Sequence, residues 1–109
     1  MGRSAERAAA NEARFRVANE QIHGKVLELG REEPPAPYLC ECEDARCTTI
    51  ILLTAVEYED VRSGARQFAV ASGHEDAARV VDRRPGFTVV EKTGEEGRLV
   101  EELDPRPED

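Results

Sequence analysis

Apolar positions recur at helical spacing near the N-terminus and fall into short β-branched runs after it. Phe15, Ala18, Ile22, Val26 and Leu29 make one stripe, which predicts a helix over residues 4–31. Ser4 is placed to cap it, and Ala5, Ala8, Ala9, Ala10 and Ala13 favour helix. Glu12 and Arg16 form an i,i+4 pair of favourable orientation. Gly30 and then Pro34-Pro35 end the helix. The stripe is expected to pack on its own domain. The other reading makes residues 1–31 a helical arm. It would pair with a copy of itself or with a protein partner through Phe15, Ile22 and Leu29.

The segment EEPPAP, residues 32–37, reads as a stiff linker. Residues 47–54, CTTIILLT, predict a strand buried on both faces. Thr54 and Glu57 have capping-box spacing and open a short helix over residues 55–63, with Tyr58 and Val61 inward and Gly64 as its stop. Residues 67–71, QFAVA, predict a strand. Residues 73–76 predict a turn into a second short helix through Ala77, Ala78, Val80 and Val81. Pro85-Gly86 is a turn, and residues 87–92, FTVVEK, a strand. Residues 94–97, GEEG, read as a hairpin loop, with residues 98–102 pairing back as an acidic edge strand. Residues 104–109 read as a disordered tail. The expected fold is α+β: a long N-terminal helix, then a domain over residues 38–103 with a small, mostly antiparallel sheet and two short helices.

The chain has 109 residues, 35% of them charged and 5% aromatic, with no tryptophan. One small domain with an aliphatic core fits that size, and a metal cross-link would help hold it. The net charge of −8 opposes broad nucleic-acid or membrane binding, which needs a basic footprint. Arg79, Arg83 and Arg84 are the exception, a cluster that could meet an anionic partner. No run is long enough to span a membrane. No apolar signal stretch opens the chain, so a reducing cytoplasm is the expected setting.

The candidate chemistry lies in residues 38–49, YLCECEDARCTT, where Cys40, Cys42 and Cys47 form C-x-C-x4-C. Three thiolates ask for a fourth donor, because structural zinc is four-coordinate with sulfur and imidazole ligands. His74 is the expected one, aimed by the freedom of Gly73; His23 on the long helix is the other choice. Such a structural zinc site is closed to substrate, so no enzyme activity is expected. Glu41, Glu43 and Asp44 could compete as ligands or solvate the knuckle. A Cys40–Cys47 disulfide is the alternative, but acidic neighbours make a poor core, and an odd thiol count argues against a disulfide framework. A catalytic zinc with Glu75, or a thiol activated by His74, is weaker: three thiolates are a poor catalytic set, and acidic neighbours raise a thiol's pKa. A redox sensor that ejects zinc on oxidation is a further alternative.

Residues 11–20, NEARFRVANE, then residues 39–42, LCEC, 53–62, LTAVEYEDVR, 68–76, FAVASGHED, and 89–92, VVEK, resemble a family of small bacterial proteins. That resemblance implies that the knuckle and the later Gly-His-Glu are one design, and it carries no activity with it. Locally, Cys40-Glu41-Cys42 to Cys47 is similar to the post-SET zinc motif of protein lysine methyltransferases. There three cysteines bind zinc and a distant residue completes the set. The likeness covers the knuckle alone and implies no methyl transfer. The function expected is a non-catalytic, zinc-stabilised protein-interaction or regulatory module. The alternative is a nucleic-acid-associated regulator that uses the arginine face.

Overall fold

A computed structural model describes residues 2–76 and 78–106. Helix α1 (Gly2–Glu28) is followed by strands β1 (Ala36–Leu39) and β2 (Ile50–Leu53), helix α2 (Ala55–Arg62), strands β3 (Gln67–Val70), β4 (Arg79–Arg84) and β5 (Phe87–Glu91), and helix α3 (Gly94–Glu102). The fold is α+β. Two antiparallel sheets form, β1-β2 and β3-β5-β4, with Ala36 opposite Leu53 in the first and Phe68 opposite Val90 in the second. Among the described residues, no helix is long and apolar enough to cross a membrane.

The three-stranded sheet is a middle layer, because successive residues of a strand face opposite ways. Ala69, Phe87 and Val89 join one core with Val26, Tyr38, Ile51, Leu53, Tyr58 and Val61. Phe68, Val70 and Val90 join a second core with Ala9, Val100 and the buried Cys40 and Cys42. Helix α1 spans both cores.

The polar residues of α1 define its buried face. Glu12, Arg16, Asn19 and His23 are all buried, at helical spacing, with Ala8 and Ala9 before them and Val26 after. Of the expected apolar stripe, Phe15, Ala18 and Ile22 are half-buried, and Leu29 lies beyond the helix, 61% exposed. The helix does end at Gly30, whose φ is +67°, with Arg31 N donating to Val26 O and Gly30 N to Leu27 O. This is the double bond of a glycine C-cap.

Four other expectations give way to the structure. Residues 36–37 belong to β1 rather than to a linker, since Pro37 can sit in a strand whose N–H side is unpaired. Strand β2 buries one face: Ile51 and Leu53 go inward, while Ile50 and Leu52 are about half exposed. The expected second helix is strand β4, whose Val80-Val81 pair and Pro85-Gly86 turn suit a hairpin with β5. Ala77, also expected in that helix, lies outside the described residues. A register shift between Val80 and Asp82 and a charged outer side keep the β4 edge from pairing further.

The expected GEEG hairpin and edge strand are helix α3. Glu95 and Glu96 suit its first turn, Arg98 pairs with Glu102 at 2.7 Å, and Gly97 and Val100 face inward. Gly97 lies so close to the preceding strand end that a Cβ there would sit 2.5 Å from Lys92 O. Asp104 and Arg106 are held by ion pairs to Arg62, Glu20 and Glu59, and residues 107–109 of the expected tail lie outside the described residues.

The capping box on α2 forms as expected. Thr54 Oγ1 accepts from Glu57 N at 3.2 Å, and Glu57 Oε1 accepts from Thr54 N at 2.8 Å. Thr54→Ala should cost about 1 kcal/mol. A thermal melt should therefore fall by roughly 4–8 °C.

Candidate metal centre

The knuckle begins where β1 hands the chain across to β3. Cys40 N donates to Thr49 O at 3.0 Å, extending the β1-β2 ladder, and the next residue, Glu41, donates its N–H to Ala69 O at 2.8 Å. The chain turns back at Asp44, whose carbonyl accepts from Cys47 N and whose carboxylate accepts from Arg46 N. From the other side, the loop after β3 turns where His74 N donates to Ala71 O, with Gly73 at a φ of +92°. Only glycine adopts that backbone without strain, and it brings the imidazole back over the thiols.

One donor atom each from Cys40, Cys42, Cys47 and His74 lies within 4.8 Å of the others. His74 Nδ1 is 3.5 Å from Cys40 Sγ and 3.5 Å from Cys47 Sγ. The three cysteines are free of disulfides. This set is compatible with a metal ion, and His74, not His23, completes it. Cys40 and Cys42 are buried; Cys47 and His74 are half-buried at the rim.

Each sulfur also meets a backbone N–H: Cys40 from Ala71 at 3.1 Å, Cys42 from Asp44 and Cys47 from Thr49. Such donors favour thiolate over thiol. Burial pushes the Cys40 and Cys42 thiols up, and Cys47 adds to it in both. Burial opposes ionisation of Cys47 as well, but the Thr49 N–H and hydroxyl, with Cys42 and His74, outweigh it and bring it down to about 7. A cation among these sulfurs would draw all three to the thiolate form.

Glu41, although it lies between two of the cysteines, stands outside the four-residue group. Glu41 is fully buried and turns away from it. Its carboxylate takes Arg16 Nε and an Arg16 terminal nitrogen at 2.9 Å each, Asn19 Nδ2 at 2.9 Å and Ala69 N at 3.0 Å. Asn19 also spans the Leu39 peptide group, donating to its oxygen and accepting from its nitrogen. Arg16 lies 4.0 Å over the Phe68 ring and donates to Gln67 O. The chain thus alternates through the knuckle: sulfur to the cluster with His74, carboxylate to the helix, sulfur to the cluster. Glu75 turns to Gly73 N and Arg83, and the Gly73 N–H holds its carboxyl below the usual range.

His23 belongs to a different cluster. Its Nδ1 is 2.9 Å from Tyr38 Oη, its Nε2 is 2.7 Å from Glu59, and its ring lies 4.7 Å from that of Tyr58. Beside it, Glu20 accepts from Tyr58, Arg62 and Arg106. Burial opposes ionisation of Glu20 and Asp104, but these hydroxyl and guanidinium partners outweigh it and lower both pKa values. A lowered folded pKa gives stability that is present above the unfolded pKa and is lost as pH falls through the folded one. Melting temperature should therefore fall as pH drops below about 4.5, and Arg106→Ala should lose part of that slope relative to wild type.

The remaining expected contact residues are dispersed. Arg79 pairs with Glu91 at 2.7 Å, Arg83 with Glu75 at 3.2 Å and Arg84 with Asp82 at 2.6 Å, so each is matched by an acid. Phe15 is half-buried under Arg14. Ile22 and Leu29 line an apolar groove of about 390 Å³ with Val26, Pro34, Pro35 and Pro37.

The buried polar face of α1 escaped the sequence reading, although its signal was there. Glu12, Arg16, Asn19 and His23 repeat at helical intervals as regularly as the apolar stripe does. Against family models, curated proteins and solved structures, the chain finds no match. The chemistry of the site therefore rests on this geometry.

Proposed function

We propose that the protein is a non-catalytic interaction or regulatory module whose fold is held by one zinc ion on Cys40, Cys42, Cys47 and His74. The separation of 3.5 Å between His74 Nδ1 and two of the sulfurs carries this reading. Zinc bonds of about 2.3 Å to sulfur and about 2.0 Å to nitrogen, at a tetrahedral angle, place the two donors about 3.5 Å apart. Four protein donors fill a tetrahedral ion and leave no position for substrate. Of the carboxylates that could act as acid or base, Glu41, Glu43 and Glu75, the first and last are bound to Arg16 and Arg83. Reduced thiols fit a cytoplasmic setting. The groove beside Ile22 and Leu29 is the surface on which a protein partner or a second copy would dock.

Cobalt in place of zinc tests the closed site. The Co2+ protein should show the intense visible absorption of a tetrahedral thiolate complex, and azide or cyanide should leave it unchanged. A spectrum that shifts on adding these anions would mean an open coordination position, and the non-catalytic reading would fall.

A further inference from the structure

Beside the thiolates, three elements bring three carboxylates together. Glu12 comes from the middle of α1, Glu43 follows Cys42 in the knuckle, and Glu96 stands in the first turn of α3. One oxygen of each lies within 4.8 Å of the others. Glu12 is fully buried, and its Oε1 is out of solvent with no hydrogen-bond donor on it. The buried Lys92 ammonium stands 2.6 Å from Glu12 Oε2 and 3.7 Å from Glu96 Oε2. That ion pair accounts for Oε2 and leaves the buried Oε1 unmatched. A buried acceptor left in this way costs about 1–3 kcal/mol.

The charges do not balance either. Glu12, Glu43 and Glu96 face the single Lys92 ammonium, and Asp76 adds to the acidity where its carboxylate meets Glu43 N. Burial, and the Glu96 carboxyl beside it, push the Glu12 carboxyl up to about 9. A divalent cation would neutralise the cluster and give Glu12 Oε1 a partner. The donors are all hard oxygens, which suit magnesium, manganese or calcium, whereas zinc is drawn to the nearby sulfurs. Glu43 is exposed, so the cluster has a side open to entry. Its backbone is fixed by Asn11, which donates to Glu43 O at 3.1 Å.

We propose that Glu12, Glu43 and Glu96 form a second cation site, all oxygen in its protein donors, for a hard divalent ion. It is independent of the thiolate site in its chemistry, and the two would share the Cys42-Glu43 segment.

The test uses the full chain already loaded with zinc, titrated with Mn2+ and followed by the electron paramagnetic resonance of the free ion. One Mn2+ should bind per chain with a dissociation constant below about 1 mM. Glu43→Gln and Glu96→Gln, on different elements, should each weaken it about ten-fold while keeping their zinc and their circular dichroism. Wild-type protein that binds no Mn2+, or variants that bind it as well as wild type does, would overturn the proposal. So would a Glu12→Gln protein that melts higher than wild type while wild type takes up no Mn2+, which would mean that the cluster holds a proton and nothing else. Zinc content read on the same samples keeps a failure here distinct from a failure of the thiolate site.

Discussion

Chelation of the ion, or replacement of any one of Cys40, Cys42 and Cys47 by serine, should lower the melting temperature by a similar and large amount. In small metal-bound domains the binding free energy is folding free energy, about 10–16 kcal/mol for zinc in finger peptides. This chain has two apolar cores of its own, so only part of that is at stake. A loss of about 3–5 kcal/mol is expected, or roughly 12–40 °C at the usual slope for a domain of this size. The equality of the three effects is the informative part. Were the cysteines ordinary core residues, Cys40 and Cys42, which are 1% and 2% exposed, would matter far more than the half-buried Cys47. A chelator would then change nothing. Thermal melts of the three variants, with and without chelator, separate the two cases.

The second large effect belongs to Arg16 and Glu41. Both are out of solvent, and the guanidinium meets the carboxylate through two hydrogen bonds. Removing one partner leaves the other charge buried and uncompensated, at a cost of about 3–5 kcal/mol. Arg16→Met should therefore melt roughly 12–40 °C below wild type, with Glu41→Leu comparable. The double variant Arg16→Met/Glu41→Leu should recover a good part of the loss, because no lone charge remains. It should not recover all of it, since Asn19 and Ala69 N also lose the Glu41 carboxylate. A double variant that is as unstable as the two single losses added together would show that the two side chains act separately. Metal affinity should weaken in Glu41→Leu as well, because Glu41 sets the backbone between two ligands.

The grouping of Cys40, Cys42, Cys47 and His74 was legible because the spacing of such residues is local. Cys40, Cys42 and Cys47 lie within one turn of chain, and Gly73-His74 announces a bend with a donor on it. The capping box at Thr54 and the glycine stop at Gly30 were legible for the same reason. What misled was the assignment of inside and outside. Apolar periodicity points to a buried face only when polar side chains lack partners. Here Arg16 has Glu41 and Glu12 has Lys92, so the polar side of α1 is the one that goes in. Those partners lie far along the chain, and no local pattern marks them. The two exchanged elements share one cause. Residues 79–84 and 94–102 are short and highly charged, so local propensity decides little. Pairing with β5 makes the first a strand, and packing on α1 makes the second a helix. Glu41 shows the limit most plainly. It lies between two cysteines of the cluster and could itself hold a metal, yet its bond to Arg16 turns it away from the thiols.

Native mass spectrometry of the purified full-length chain, with and without a strong chelator, tests the central claim most directly. One zinc per chain is expected, and its removal should leave a destabilised chain with part of its population shifted to higher charge states. A chain that is metal-free as purified, folded, and unmoved by chelator would contradict the account at its root.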